Sequence, residues 1–570
     1  MTSTRTMFLL GINSVYHESS AALIVDGRVV AAAEEERFNR VKHGKPARVD
    51  NAHELPEAAI RFCLESAGIE ARQLDAVCYS FDRTLRRKTF QLDPQSKRGD
   101  WGDAAGEESF LASLHRVPGA VSQVLSHEVD AAFHWVPHHL AHAASTYYPS
   151  GFDDAAVLIV DGIGEQATTF LAAGTGRELT YLKHLSYPHS LGFLWEKVCK
   201  YLGFGEYDAC KVMGLAGYGR REDAAPQFGS FVVVENDGFS IDAEVMEFRL
   251  DDFSPLERIL GPRRRPEDPL IARHIDTAAA LQAINDQAML ALAQAVYKLH
   301  PSDALCMAGG VALNCTSNWV VKEKGPFEKV YIPAAPHDAG TAVGAALHVY
   351  HHVLAGPRTT DVMAHPYQGP RYLDEEIRAL LAAKDIRAIQ VDGIAARAAD
   401  AIARGLVVGW FQGAMEFGPR ALGNRSLLAD PRDKNIREIL NVKVKHREHF
   451  RPFAPSVLEE HADAWFELGR PSQSYQAMLF ACPVRSHVLD RIPAVLHIDR
   501  TARVQVVTRE HNPLFHQLIE HFHVRTGVPL VLNTSFNDSE PIVCSPNDAL
   551  ATFRSTRIDA LAIGNYWITR

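Results

Sequence analysis

Phe8-Leu9-Leu10-Gly11-Ile12-Asn13 forms the first apolar run, and the polar stretch 14–20 parts it from Ala21-Ala22-Leu23-Ile24-Val25. Asp26-Gly27 follows, then Val29-Val30-Ala31-Ala32-Ala33. Short apolar runs parted by a polar turn and an Asp-Gly pair predict three strands, the last two joined as a tight hairpin. Alone, this is no more than a β-meander. The pattern returns in Ala156-Val157-Leu158-Ile159-Val160, a glycine-bearing turn over 162–166 and a second apolar run over 167–173. A third run, Ala304-Leu305-Cys306-Met307-Ala308, enters Gly309-Gly310 and a predicted helix start. Glycines there let backbone N–H groups approach a phosphate or ribose at the positive end of a helix.

Two strand–turn–strand halves joined by helices predict an α/β chain with the duplicated ribonuclease-H-like architecture of actin-like and sugar-kinase-like ATPases. A helix is expected over 54–68, a strand over 74–80 and a helical insertion over 82–126. At 570 residues the chain exceeds a single core and should hold two or three domains. The stretch from Gly356-Pro357-Arg358-Thr359-Thr360 to Gly369-Pro370 is rich in Pro, Gly and Thr and marks the boundary between domains 1–356 and 372–570. Beyond it, 372–383 and 394–404 have amphipathic helical spacing, and Val407-Val408-Gly409-Trp410-Phe411 reads as a strand of a second α/β domain.

The apolar fraction of 46% and charged fraction of 22% are those of an ordinary globular protein. A net charge of −10 forces no basic face, so no nucleic-acid partner is expected. Eight cysteines without a CxxC pair suggest neither zinc ribbon nor disulfide scaffold and fit a reducing cytoplasm. With no apolar run of about 18 residues, no membrane span is expected. Met7-Phe8-Leu9-Leu10, with Asn13, His17 and Glu18 close behind, reads as a strand rather than a signal peptide.

Chemistry concentrates at His138-His139-Leu140-Ala141-His142-Ala143-Ala144-Ser145. On a helix His138 and His142 leave the same face one turn apart, while His139 points about 100° away, toward an outer position or the surface. Asp161 ends the 156–160 run, and Asp338 stands in His337-Asp338-Ala339-Gly340 after Val330-Tyr331-Ile332-Pro333. Two imidazoles and two carboxylates would make a mixed nitrogen and oxygen cage for a divalent transition metal. A His-rich helix can also simply cap a sheet; the two aspartates, each closely followed by glycine, favour the metal.

Residues 13–22, 35–43 and 138–145, with Lys211-Val212-Met213-Gly214-Leu215-Ala216-Gly217-Tyr218-Gly219 and Gly309-Gly310-Val311-Ala312-Leu313-Asn314, resemble the O-carbamoyltransferases of antibiotic and nodulation-factor biosynthesis. Equally long motifs lie in the C-terminal half: Met415-Glu416-Phe417-Gly418-Pro419-Arg420-Ala421-Leu422-Gly423-Asn424-Arg425-Ser426, the stretch 440–455, and Leu532-Asn533-Thr534-Ser535-Phe536-Asn537. The resemblance covers nearly the whole chain. It implies a C-terminal domain similar to the threonylcarbamoyl-adenylate-forming (YrdC-like) fold, which makes carbamoyl adenylate from carbamoyl phosphate and ATP. It further implies an N-terminal domain similar to the universal tRNA threonylcarbamoyl-transferring metalloprotein, which passes the carbamoyl group to a hydroxyl and leaves AMP.

The resemblance makes His138, His142, Asp161 and Asp338 ligands of iron as Fe(II), although the donor set alone also admits manganese or zinc. Carbamoyl adenylate would lie along Gly162, Ile163, Gly164, Glu165, Lys211, Gly214, Gly309, Gly310 and Asn314. A site for two polyanions needs fixed cations, and 420–503 offers Arg420, Arg425, Lys443, Lys445, Arg447, Arg451, Arg500 and Arg503, many flanked by Gly, Pro or aromatics. Arg420, Lys443, Arg451, Arg503, Asn533 and Ser535 are the contacts expected for carbamoyl phosphate and ATP. Arg500 departs from the family, which usually has glycine there, and Glu18 stands where it has aspartate. His17 is the expected base for the acceptor hydroxyl, a loop histidine at the surface being the alternative. Lys42 would hold a phosphate or the carbamoyl oxygen. Among acceptors a polycationic aminoglycoside, tobramycin, would suit Glu18, Glu34, Glu35, Glu36, Glu206 and Asp208; a cephem or nodulation factor would need fewer carboxylates. A homodimer is the working expectation.

Two other classes fit parts of the chain. An actin-like kinase or ATPase would hold magnesium mainly through carboxylates, and the histidine pair argues against it. A partner-binding module would not need two phosphate-suited sites.

Overall fold

In β1 (Phe8–Asn13), β2 (Ser20–Val25) and β3 (Arg28–Glu34) the apolar runs pair antiparallel, with Asp26 and Gly27 at φ of 47° and 81° supplying the left-handed turn between the last two. The computed structural model describes residues 5–129, 132–359 and 361–570, apart from the side chains at 223, 224 and 443. Its first unit holds the residues up to Asn39 with His43–Met363, and its second holds Arg40–Lys42 with Ala364–Arg570. The chain changes unit at 363/364, inside the Pro, Gly and Thr-rich stretch.

The meander of the first unit continues into β4 (Ala76–Tyr79) and β5 (Phe133–Trp135), both parallel to β1, giving the order β3-β2-β1-β4-β5. Helices α1 (Glu57–Ala67), α2 (Arg83–Thr89) and α3 (Ala104–Leu125) fill the connections that parallel strands require. Asp82 and Asp103 start α2 and α3 by accepting hydrogen bonds from the first free N–H groups, so the 82–126 insertion is two capped helices.

A second sheet repeats the first. Its strands are β6 (Asp154–Val160), β7 (Ala167–Thr175), β8 (Glu178–Ser186), β9 (Ala304–Ala308) and β10 (Lys329–Tyr331), in the order β8-β7-β6-β9-β10. The first three are antiparallel and the last two parallel to β6. The same order and directions in both sheets make this unit the duplicated ribonuclease-H-like, actin-like fold. Between the sheets, α4 (His138–Tyr147) lies on β6 and β9, and α8 (Gly340–His348) lies on β1 and β2; α5 (Leu191–Tyr201), α6 (Ala272–Leu299) and α7 (Cys315–Lys324) complete the layers. The two inner helices touch at Gly344, where a Cβ would strike the carbonyl of Ala141.

The glycine pair after β9 does not open a helix. Gly309, at φ 93°, turns the chain beneath the carbonyl of Val160, and Gly310–Leu313 makes one 3-10 turn. Helix α7 begins only at Cys315, because Asn314 caps it by accepting from the Ser317 N–H.

The second unit is built on one mixed sheet. Its strands are β11 (Ile389–Gln390), β12 (Val408–Phe411), β13 (Arg425–Ala429), β14 (Ala454–Leu458), β15 (Gln505–Val507), β16 (Leu530–Ser535), β17 (Ala560–Ile563) and β18 (Tyr566–Thr569). They lie in the order β11-β18-β17-β12-β13-β16-β14-β15. The amphipathic patterns are the helices Asp374–Ala383 and Ile394–Ala403, each burying its apolar stripe. No helix among the described residues is long and apolar enough to cross a membrane.

Candidate metal and transfer site

The i,i+4 spacing on α4 sends both imidazoles to the point where β6 ends and α8 begins. His138 Nε2 lies 3.3 Å from Asp161 Oδ2 and 3.6 Å from Asp338 Oδ1; His142 Nε2 lies 3.6 and 3.4 Å from the same atoms. One donor atom from each of the four residues falls within 4.8 Å of the others, and all four residues are buried. The grouping fits a divalent ion on two counts. His142 Nε2 is buried with no hydrogen-bond partner, and two carboxylates held side by side out of water repel until a cation balances them. Burial would raise Asp161 and lower His138. Instead, the hydrogen bond of His138 and the charge of His142 hold Asp161 well below the usual carboxylate range, and Asp338 and Asp161 hold His138 well above the usual imidazole range.

Backbone contacts fix the ligands. His138 Nδ1 lies 3.2 Å from the Ser80 carbonyl, which leaves Nε2 for the centre. Glu165 accepts from the N–H groups of His138 (2.9 Å) and Asp82 (2.7 Å), tying the start of α4 to the turn after Asp161. Its carboxylate was expected on an adenylate; the structure commits it to the scaffold. His139 is not at the surface. It is 3% exposed, and burial, then the charge of His138, pushes it down to about 3.

The other expected contacts divide. Gly162 and Ile163 are half-buried at the mouth of the turn, and Gly164 leaves the space that His139 fills. Gly310 N–H donates to Asp161 Oδ1 at 2.8 Å, and Gly214 is buried in the helix Ala209–Ala216. Lys211 pairs with Asp208 at 2.9 Å. Asn314 spends its amide on Gln282 and on its cap, so it is not open to a nucleotide. Half-buried His17 has Nδ1 4.0 Å from Glu18, a buried nitrogen without a hydrogen-bond partner, and Tyr207 against its ring at 4.9 Å. Tyr207 was not foreseen; nothing in Gly205-Glu206-Tyr207-Asp208 marks it. Lys42 is exposed and belongs to the second unit.

The acids expected to greet a polycation are already matched within the chain. Glu18 takes His43 Nδ1 at 2.6 Å and lies 3.6 Å from His337; Arg37 meets Glu34 at 2.9 Å and Glu36 at 2.5 Å. Glu35 accepts the Ala59 N–H at 2.9 Å, and Lys200 holds Glu206 at 2.7 Å.

Half-buried Glu196 behaves differently: burial, then the carboxylate of Glu206, pushes it up to about 8. Between its ordinary 4.5 and about 8 the folded chain keeps a proton that the unfolded chain has lost. That stability is therefore complete at low pH and fades as pH rises through this window. Urea midpoints at pH 5 and pH 8 should show the wild type losing about 1–3 kcal/mol relative to Glu196→Gln. Parallel behaviour of the two would disprove the assignment.

In the second unit, Arg420 is half-buried with an unpartnered Nε, Arg451 lies 3.9 Å from Glu448, and Arg503 is half-buried on a short strand opposite Ala481. The Lys443 side chain lies outside the described residues. Asn533 is 1% exposed, and its amide donates to Ala421, Ser456 and Gln505, so it builds the sheet rather than facing a substrate. Ser535 shares Lys445 Nζ with Asn537, at 3.0 and 2.7 Å. Burial, then the charges of Arg447 and Arg451, holds that lysine well below its ordinary range. Arg425 is wholly buried and engaged with carbonyls. Arg500 is exposed at φ 63°, where glycine is free of strain.

Residues 8–347 match the family model described as Carbamoyltransferase N-terminus, and 399–570 the one described as Carbamoyltransferase C-terminus. An uncharacterized protein of Synechocystis sp. is 37% identical, with 99% of this chain and 96% of that protein covered. Nodulation protein NolNO of Sinorhizobium fredii is 39% identical, covering 98% of this chain and 80% of its own length. Nodulation protein NolO of Bradyrhizobium diazoefficiens is 38% identical, covering 76% and 78%.

Proposed function

The chain belongs to the carbamoyltransferase family, and from that premise we propose that it carbamoylates a hydroxyl of a natural-product acceptor, using carbamoyl phosphate and ATP. The second unit, read as a YrdC-like fold, uses one water to split carbamoyl phosphate into carbamate and phosphate, and the carbamate oxygen then displaces pyrophosphate from the α-phosphorus of ATP to give carbamoyl adenylate. The first unit passes the carbamoyl group to the acceptor and releases AMP. The observation that carries this reading is the buried quartet of His138, His142, Asp161 and Asp338, whose donor atoms lie within 4.8 Å of one another.

These four residues hold the ion, assigned as Fe(II), which when bound supplies Lewis acidity toward the adenylate. The turn 162–164 and the Gly310 N–H flank it from the backbone side. His17, within reach of solvent and backed by Glu18, takes the proton of the acceptor hydroxyl. In the second unit Arg420, Lys443, Arg451, Arg503 and Ser535 bind carbamoyl phosphate and ATP, with Lys445 added as the cation nearest Ser535 and Asn533 set aside as structural. ATP and carbamoyl phosphate place the work in the cytoplasm.

Tobramycin is the acceptor to test first. A nodulation factor is the second reading, favoured by the pairing of every acid once offered to a polycation and by the names of the relatives. Incubation with carbamoyl phosphate, ATP and tobramycin should give AMP, pyrophosphate and an acceptor heavier by one carbamoyl group. AMP with unmodified tobramycin would move the acceptor to the second reading. ADP as the only nucleotide product would replace the whole scheme by a kinase.

A further inference from the structure

His337, the residue before the ligand Asp338, belongs to a second group of donors in the first unit. Its Nε2 lies 3.6 Å from Glu18 Oε2 and 3.7 Å from Glu34 Oε1, and one donor atom from each residue falls within 4.8 Å of the others. Both separations exceed a hydrogen bond and come close to the 3.3–3.6 Å between donors of the quartet. His337 is only 6% exposed, and its Nδ1 is buried with no hydrogen-bond partner. Burying this ring between two carboxylates returns little unless a third body joins Nε2 to them.

One oxygen of each carboxylate is held from outside the group. His43 Nδ1 meets Glu18 Oε1 at 2.6 Å, and Arg37 donates to Glu34 Oε2 through Nε and Nη2, both at 2.9 Å. Outer contacts of this kind orient the ligands of a metal. The backbone is fixed as well. Glu18, at φ 56°, donates its N–H to the His43 carbonyl at 2.8 Å and accepts the Asn13 amide on its own carbonyl at 3.0 Å. Glu34 ends β3 opposite Ser20, whose hydroxyl donates to the Ala339 carbonyl at 2.8 Å and ties the 337–339 loop to the same sheet. Arg37 also meets Glu36. It offsets one charge of the three carboxylates, and a divalent ion matches the other two while leaving the imidazoles neutral, the form that binds metal.

We propose that Glu18, Glu34 and His337 form a second divalent-cation site, distinct from the quartet, for an ion of the Mn(II) type. One nitrogen and two oxygens suit a first-row divalent ion, and the imidazole counts against magnesium and calcium. Glu18 is half-buried, so one side of the group faces solvent and water completes the coordination. Three ligands and an open side make this the weaker of the two sites: added ion fills it and purification empties it, so the isolated chain carries the quartet's ion alone. Glu18 Oε1 stays with His43 and His17, which leaves the base assigned above in place. The site does not depend on which group the enzyme transfers.

The test uses the full chain, stripped of metal by chelation and titrated with Mn(II), the free ion being counted by its electron paramagnetic resonance signal. The wild type should take up about two ions per chain and His142→Ala about one. In the His142→Ala background, His337→Ala should abolish the remaining uptake and Glu34→Gln should weaken it about tenfold or more. An excess of Mg(II) should not displace it. Mn(II) should raise the thermal midpoint of His142→Ala by mass action and leave the His142→Ala, His337→Ala double variant unmoved. A cooperative transition of each variant without ion shows that it is folded. A wild type that takes up a single ion, lost in His142→Ala, would overturn the proposal. So would a second ion that yields to magnesium, or one that stays bound both in the double variant and with Glu34→Gln.

Discussion

Replacing His142 by alanine should abolish carbamoyl transfer while carbamoyl-adenylate formation continues. The side chain is 0% exposed, and its Nε2 sits 3.4 Å from Asp338 and 3.6 Å from Asp161 with no other partner. Without it the site keeps one imidazole and two carboxylates, a weaker set for a late transition metal. Lewis-acid stabilisation of several kcal/mol is at stake, so the transfer rate should fall by about 10³ or more. Elemental analysis should find less than about a tenth of an ion per chain where the wild type holds about one. Acceptor-independent release of pyrophosphate should change little, because that chemistry is assigned to the second unit. A variant with wild-type metal content and wild-type transfer would remove the quartet from the mechanism. Chelation of the wild type should reproduce the defect, and restoring Fe(II) should reverse it in the wild type but not in the variant.

Arg425→Met should produce the largest loss of stability, and for a reason unrelated to substrate. Arg425 is 0% exposed on β13, donates to the carbonyls of Gln412 (2.6 Å), Asn424 (3.0 Å) and Pro370 (3.0 Å), and stacks 3.8 Å from the Phe411 ring centroid. Methionine keeps much of the volume but takes the donor from the Gln412 carbonyl, at about 1–3 kcal/mol, while the carbonyls of Asn424 and Pro370 keep the N–H groups of Gln412 (2.9 Å) and Met415 (3.0 Å). Burial disfavours the charge and pulls Arg425 below the ordinary range, so removing it returns part of that cost. The orphaned Gln412 carbonyl and the lost stacking on Phe411 outweigh that return, and a net loss of about 2 kcal/mol is expected. Tryptophan fluorescence should report it in urea, since Trp410 lies on the paired strand β12 opposite Ser426 and is fully buried. A transition displaced by less than about 1 kcal/mol would show that the Gln412 carbonyl finds another donor.

Much of the architecture was legible because it depends on neighbours along the chain. A strand needs only its alternating or continuous apolar run, a hairpin only its Asp-Gly, and α4 only the four-residue spacing that aligns His138 with His142. Repetition of one pattern around Val25 and around Val160 was enough to expect a duplicated fold, and both sheets have the same strand order. The carboxylates at the strand end and before α8 were visible for the same reason: a charged residue followed by glycine just after an apolar run has few places to go.

What the sequence could not determine was the company each polar side chain keeps. Arg425, Asn533 and Asn314 have the residue types of a substrate site, yet the fold surrounds them with the chain's own carbonyls and amides. The acids near His17 resembled a polycation pocket until Arg37, His43, His337 and Lys200 were placed beside them. Local spacing decides helices, strands and the faces they present. Burial, hydrogen-bond satisfaction and charge compensation are sums over groups distant in sequence, and only the tertiary structure brings those groups together.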